Sequence, residues 1–235
     1  MHEKLSVYRS EDKYVIDHVT ASRLKNDLRK VLSQDVHSAV GGYCVRSLYF
    51  DSINNKDYNQ KYAGVEKRKK IRIRTYDIAS DICKLEMKEK TGNYQHKTSM
   101  IINREIAFEL INGNYSVLLG TQNSIDTASM FYKEMMLGVY RPATLIEYKR
   151  IAFTHNLNNT RLTFDYEIKS SEKCTEIFSD KVSSYIPVLD EQEVLEVKYD
   201  GKLLKYISKV LQPYNLTQLS YSKYTNGRAY WCDFL

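Results

Sequence analysis

A chain of 235 residues with 43% hydrophobic content is long enough to bury a real core, and 35 basic against 29 acidic residues leave a net charge of +6. That mildly basic balance suggests an anionic partner without identifying it. The four cysteines, Cys44, Cys83, Cys174 and Cys232, have no paired spacing, which argues against a zinc site or a disulfide framework and fits a reducing compartment.

No apolar run approaches the ~18 residues needed to span a bilayer, and the amino terminus MHEKLSVYRSEDKY has no apolar signal segment. A cytoplasmic protein is therefore expected. Three prolines, nine glycines and no low-complexity linker predict one domain covering residues 1–235.

In chain order, the first strand signal sets Arg9, Glu11 and Lys13 on one face and Tyr14 and Ile16 on the other. Thr20 then reads as an N-cap, followed by a helix with Leu24, Leu28, Val31 and Leu32 at helical spacing. The aromatic and branched text YCVRSLYFD predicts a strand over Tyr43–Asp51, and the polar stretch from Asp51 to Ala63 a loop or short helix.

The most informative stretch is KKIRIRTYDIASDICKLEMKEK, Lys69 to Lys90. Read as a hairpin, its first strand points Lys70, Arg72, Arg74 and Tyr76 one way and Ile71, Ile73 and Thr75 the other. The second strand groups Lys84, Glu86, Lys88 and Lys90 against Cys83, Leu85 and Met87. Glu86 reads as a counter-charge orienting Lys88 and Arg72.

A strand over Thr98–Ile106 follows, then two helical patches, Ile106–Ile111 and Asp126–Leu137, expected to pack on the outside of a sheet. Met130, Phe131, Met135 and Met136 are read as an apolar core face of the second patch. Strands resume. LIEYKRIAF places Tyr148 and Arg150 with Ile146 and Ala152; RLTFDYE groups Arg161, Thr163, Asp165 and Glu167; VLEVKY groups Glu196 and Lys198. A short helix over Lys202–Leu211 and a last segment through Ser222, Lys223 and Tyr224 complete the chain.

Six or seven strands with one apolar and one charged face suggest an α+β protein. Its expected centre is a closed antiparallel β-barrel with flanking helices, apolar faces outward against the helices and charged faces lining a lumen. Like charges repel in such a space, and a polyanion resolves the repulsion. Phosphate suits guanidinium forks and lysine point charges.

The text resembles the VTC domain, the polyphosphate polymerase module of the triphosphate tunnel metalloenzyme (CYTH-like) superfamily. The resemblance is carried by Glu11-Asp-Lys13-Tyr14, SLYFD at Ser47–Asp51, KIRIRTY at Lys70–Tyr76, LEMK at Leu85–Lys88, EYKRIAF at Glu147–Phe153, LEVKYDG at Leu195–Gly201 and SKY at Ser222–Tyr224. It implies a triphosphate tunnel using Mn2+ or Mg2+. Carried over residue by residue, the phosphate-binding set is Lys13, Arg72, Arg74, Lys88, Tyr148, Arg150, Arg161, Ser222 and Lys223. Its cations Lys13, Arg72, Arg74, Lys88, Arg150, Arg161 and Lys223 are the implied catalytic groups, and Glu196 the metal ligand.

The implied reaction moves the terminal phosphoryl group of ATP onto a growing inorganic polyphosphate, releasing ADP. A triphosphate hydrolase or nucleotidyl cyclase, and a non-catalytic polyphosphate or nucleotide sensor, are the alternatives. Hydrolytic tunnel enzymes open with an ExExK signature, where this chain reads Arg9, Glu11, Lys13; the lost carboxylate makes a second metal harder to hold and favours the polymerase. Ser220 stands where the resemblance suggests another basic residue. Nucleic acid is not expected as a partner, because the cations are interleaved with carboxylates and no stacking-aromatic motif accompanies them. With no membrane segment of its own, the chain leaves any coupling to transport to a separate membrane partner.

Overall fold

Alternation with period two, interrupted by stretches of helical period, underlies most elements of the computed structural model, which describes residues 9–38, 41–92, 94–120 and 125–232. They run β1 (Arg9–Asp17), α1 (His18–Arg29), β2 (Ser33–Gln34), β3 (Tyr43–Ser52), α2 (Lys56–Tyr62), β4 (Lys67–Thr75), β5 (Ile82–Thr91), β6 (Tyr94–Asn103), α3 (Arg104–Ile111) and α4 (Ile125–Leu137). Then follow β7 (Tyr140–His155), β8 (Thr160–Ser171), β9 (Ile186–Pro187), β10 (Gln192–Asp200), α5 (Lys205–Leu211) and α6 (Lys223–Cys232). The amino-terminal stretch through Tyr8 and the side chains of Arg9 and Cys232 lie outside the described residues.

The strands form one hydrogen-bonded order, β1-β10-β8-β7-β3-β4-β5-β6, with β2 added to β7 and β9 to β8. The pairs β1–β10, β10–β8, β2–β7, β3–β4, β4–β5, β5–β6 and β8–β9 are all antiparallel. The fold is thus a mixed α/β arrangement with a ten-stranded antiparallel sheet, and the expected closed barrel is not what forms: β1 and β6 stand at opposite ends of an open order. The free side of β1 is engaged by the segment around Gln218 and Leu219, through a bridge from Tyr14 to Gln218 and a bond from Leu219 N–H to Lys13 C=O. At the other end, β6 is largely exposed and carries His96 and Lys97, polar features that discourage further pairing.

Contacts divide the chain into two compact units. The first comprises the chain to Cys44, Tyr148–Ile168 and Leu189–Tyr221; the second comprises Val45–Glu147, Lys169–Val188 and the chain from Ser222.

In the first unit the apolar faces of β1, β8 and β10 pack against α1 and α5. Leu24 and Leu28 meet Phe153, Phe164, Leu195, Val197 and Ile207 in one buried cluster, each large side chain contributing about 1.5–3 kcal/mol. The cap of α1 is Asp17 rather than Thr20. Asp17 Oδ1 accepts the Thr20 N–H at 2.8 Å and Oδ2 accepts the Thr20 hydroxyl at 2.7 Å, so the threonine is the capped residue, in an arrangement worth about 1 kcal/mol.

In the second unit β3, β4, β5 and β6 form a meander whose odd-numbered β4 and β5 side chains, Ile71, Ile73, Leu85 and Met87, join Leu48 and Met100 beneath α3 and α4. From the helices come Leu110, Ala128, Phe131 and Met135. Met136, expected in this face, is instead 47% exposed, because one residue past Met135 the helix has turned about 100° away from the core.

Helix α6 was not legible as a helix. Its sequence KYTNGRAYWC contains Asn226 and Gly227 and no apolar period. Gly227 is required by close packing: a Cβ there would lie 3.0 Å from Ser170 Cβ and closer still to the end of Ile146. No described helix is long and apolar enough to cross a membrane.

Candidate functional site

In the second unit, register converts the charged face of the hairpin into a grid. One row sets Lys70, Lys88 and Lys97 directly opposite each other across β4, β5 and β6. The next reads Tyr49, Arg72, Glu86 and Ser99, and the third Ser47, Arg74 and Lys84.

Glu86 is the single carboxylate in these rows, and three cations converge on it. Arg72 donates from Nε at 2.8 Å, Arg74 Nε stands 3.9 Å away, and Lys97 Nζ bonds the other oxygen. Burial pushes the Glu86 carboxyl up, but Arg72, Arg74 and Lys97 outweigh it and hold it at about 2. Arg74 is anchored on Ser47 Oγ at 3.1 Å and Arg72 on the Tyr49 hydroxyl at 3.0 Å. Burial of Tyr49 raises its hydroxyl, yet Arg72, Arg74 and Lys223 bring it below the usual phenol range.

The start of α6 belongs to the same cluster. Ser222 Oγ accepts the Thr225 N–H at 3.2 Å, as an N-cap does, and receives Lys70 Nζ at 2.6 Å. Lys223, the first residue of the helix, is buried. The tyrosine after it fixes the turn: Tyr224 stacks on Tyr49 with centroids 5.0 Å apart, donates its hydroxyl to Asp51, and lies 5.6 Å from Lys70 Nζ. Asp51 in turn accepts the N–H groups of Ser52, Asp57 and Tyr58 at the start of α2.

The first unit carries a second charged ladder. Lys13 pairs with Glu196 and Glu11 with Lys198 across β1 and β10, and Glu196 and Lys198 continue opposite Thr163 and Arg161 on β8. Lys13 Nζ lies 3.2 Å from both Glu11 and Glu196, and Lys198 Nζ 2.9 Å from the second Glu196 oxygen. Arg150 forms a two-pronged bond to Asp165 at 2.6 and 2.7 Å, both groups being buried, and its guanidinium faces the Tyr148 ring at 5.3 Å. Burial would lower the Arg150 pKa, but Asp165 raises it well above the ordinary value. Arg161 reaches Asp35 at 2.9 Å and the Tyr43 hydroxyl at 3.3 Å.

The sequence-derived set therefore falls into two groups. Arg72, Arg74, Lys88, Ser222 and Lys223 lie in the second unit, and Lys13, Tyr148, Arg150, Arg161 and Glu196 in the first. Sequence reasoning missed Lys70, Lys97 and Tyr49 as members of the second group. Lys70 was already on the face of Arg72, and a hairpin register from β5 into β6 finds Lys97 opposite Lys88. It also missed the Arg150–Asp165 pair; folding the chain back at residues 156–159 brings those two positions together. Of the two cations expected around Glu86, Lys88 and Arg72, it is Arg72 that bonds it, and the other cations on it are Arg74 and Lys97.

Among the described residues no group of three or more His, Cys, Asp or Glu side chains could hold a metal ion. What the first unit offers is an oxygen set: Glu196 with Glu11 beyond Lys13, and the buried Thr163 hydroxyl, which stands opposite Glu196 and has no hydrogen-bond partner among the described residues. Such hard donors suit Mg2+ or Mn2+, which take one or two carboxylates and fill their remaining positions with water and substrate phosphate. The cysteines add nothing to this set: burial pushes the Cys83 and Cys174 thiols up to about 12, and Cys44 is exposed.

The fold is thus defined by a large antiparallel sheet with cation-rich faces and flanking helices. The chain belongs to the VTC domain family, whose model matches residues 8–232. No curated protein matches it. Among solved structures it resembles a candidate adenylate cyclase of Bacillus halodurans, at 12% identity over 92% of this chain and 95% of that one, TM-score 0.53. A candidate adenylate cyclase of Vibrio parahaemolyticus matches at 13% identity over 93% and 97% of the two chains, TM-score 0.48.

Proposed function

We propose that this protein is an ATP-dependent polyphosphate polymerase acting as a single VTC-like domain. The supporting observation is the row Lys70, Lys88 and Lys97, three ammonium groups directly opposite one another with Arg72 and Arg74 beside them and one carboxylate among them. Like charges in register disfavour the sheet they sit on. A phosphate chain supplies negative charge along the row, and membership of the VTC family favours a polyphosphate one.

In this reading each residue group binds phosphate oxygens. Arg72, Arg74, Lys88, Ser222 and Lys223 in the second unit, and Lys13, Tyr148, Arg150 and Arg161 in the first, are the phosphate-binding groups. An oxygen of the polyphosphate end attacks the γ-phosphorus of ATP, the bond from that phosphorus to the β–γ bridging oxygen breaks, and ADP leaves. Little covalent chemistry is asked of the protein, because positioning and electrostatic stabilisation serve a loose phosphoryl transition state. Glu196, with Glu11 and Thr163 near it, would hold Mn2+ or Mg2+, which supplies charge neutralisation at the transferring group. A cytoplasmic location fits the ATP requirement and four cysteines without paired spacing in the sequence.

The test is incubation with ATP and manganese, followed by gel analysis of phosphate polymer and separate measurement of ADP and free phosphate. Polymer with stoichiometric ADP is the expected result. Free phosphate or pyrophosphate without polymer would instead assign a hydrolase or cyclase, and binding without turnover a sensor.

A further inference from the structure

The cationic face of β4 does not end in a cation. Lys70, Arg72 and Arg74 follow one another at two-residue steps of about 7 Å, and just past the end of β4 the same alternation reaches Tyr76, a residue 46% exposed. Two cations attend the ring. The Arg74 guanidinium carbon and Lys84 Nζ each stand 5.9 Å from its centroid. Arg74 and Lys84 are themselves directly opposite in the β4–β5 register, so this end of the face joins like charges to an aromatic surface. Tyr62 and Tyr94 are more exposed, but Tyr62 lies on α2 and Tyr94 on the opposite face of β6 from Lys97.

A phosphate chain alone gains nothing from a tyrosine ring in this position. A nucleotide does, because a base has a flat π face that stacks on an aromatic side chain whatever its sequence, while neighbouring cations take the phosphates. Tyr76 follows Arg74 by two residues, with the guanidinium carbon 5.9 Å from the ring centroid, so a stacked base and a phosphate on Arg74 would lie a sugar apart.

We propose that Tyr76, flanked by Arg74 and Lys84, is the platform for the nucleoside of ATP, so that the donor lies along β4 with its base at Tyr76 and its terminal phosphate toward Lys70 and Ser222. This rests on the triphosphate reading above and adds a direction to it: the growing polymer meets the donor from the Lys70 end. Tyr76 acts as a specificity-determining residue, separating ATP from an inorganic phosphate chain of the same length.

The experiment is calorimetric titration of ATP and of tripolyphosphate, without metal, into wild type, Tyr76→Ala and Tyr76→Phe. Tyr76→Ala should weaken ATP on the order of tenfold and leave tripolyphosphate within twofold of wild type, and Tyr76→Phe, which keeps the ring, should keep ATP affinity. Unchanged ATP binding in Tyr76→Ala, or equal loss for both ligands, would overturn the platform while leaving the triphosphate reading intact. A wild-type protein that binds neither ligand would overturn both.

Discussion

Lys70 and Lys88 stand directly opposite each other across the β4–β5 ladder, and Lys97 continues the row from β6. A sheet gains from opposite charges at such positions and loses roughly 0.2–1 kcal/mol when they are alike. The row therefore carries a cost in the free protein that a bound polyanion removes, and this couples ligand binding to stability.

Replacing the middle cation tests that coupling. Lys88→Met keeps the apolar stem and removes the charge, so at low salt the free protein should melt about 1–3 °C higher. The rise in melting temperature produced by tripolyphosphate should shrink. A lower melting temperature together with an undiminished tripolyphosphate effect would show that Lys88 is an ordinary surface lysine.

Glu86 makes a pH prediction. Its carboxyl is held at about 2 in the folded protein against an ordinary 4.5, so the unfolded chain binds the extra proton between those values. The stabilisation is complete above about pH 4.5, on the order of 3 kcal/mol, and is lost as pH falls through 2. Glu86→Gln should be less stable than wild type at pH 7, and the two should converge between pH 4.5 and 2 in urea titrations. A constant gap across that range would mean that the three cations do not act on Glu86 as a charge.

The buried pair of Arg150 and Asp165 gives a third test. Asp165→Asn leaves the guanidinium buried without its counter-charge, a loss of about 3–5 kcal/mol. If Arg150 binds phosphate, tripolyphosphate replaces the missing anion, and the variant should show a larger rise in melting temperature than wild type. An equal rise would assign Arg150 to structure alone.

How far the sequence could be read depended on whether the information was local. Period-two alternation in KIRIRTY and LEMKEK placed Arg72, Arg74, Glu86 and Lys88 on one face, because each strand states its own faces. The Asp17 cap was local too, but Asp17 and Thr20 are both good capping residues and only geometry separates donor from acceptor. Closure was not local: the edge of β1 is engaged by Gln218 and Leu219, some two hundred residues from Tyr14, and the alternation of a single strand does not state its neighbours. Helix α6 was hidden because close packing at Ile146 and Ser170 demands Gly227, and that residue spoils the helical signal. The partner of Arg150 required the β7–β8 hairpin register, which the alternation of either strand alone does not contain.

Glu196 separates a metal's role from that of the phosphate cradle. Its two oxygens face Lys13 at 3.2 Å and Lys198 at 2.9 Å, and the Thr163 hydroxyl, unpartnered among the described residues, stands opposite it in register. In the free protein it is a counter-charge to two ammonium groups; in the proposed reaction it also supplies the carboxylate for Mn2+ or Mg2+. Glu196→Gln keeps the size and one carbonyl oxygen and removes the negative charge. Metal-free tripolyphosphate should bind that variant as tightly as wild type or more tightly, because an anion near the phosphates is gone and two lysines are released. Metal-dependent polymer synthesis should fall by on the order of a hundredfold, with the larger deficit at limiting manganese and partial recovery as the metal is raised. Full synthesis at limiting manganese would reduce Glu196 to a counter-charge and move the ligand to Glu11, the other carboxylate bound to Lys13.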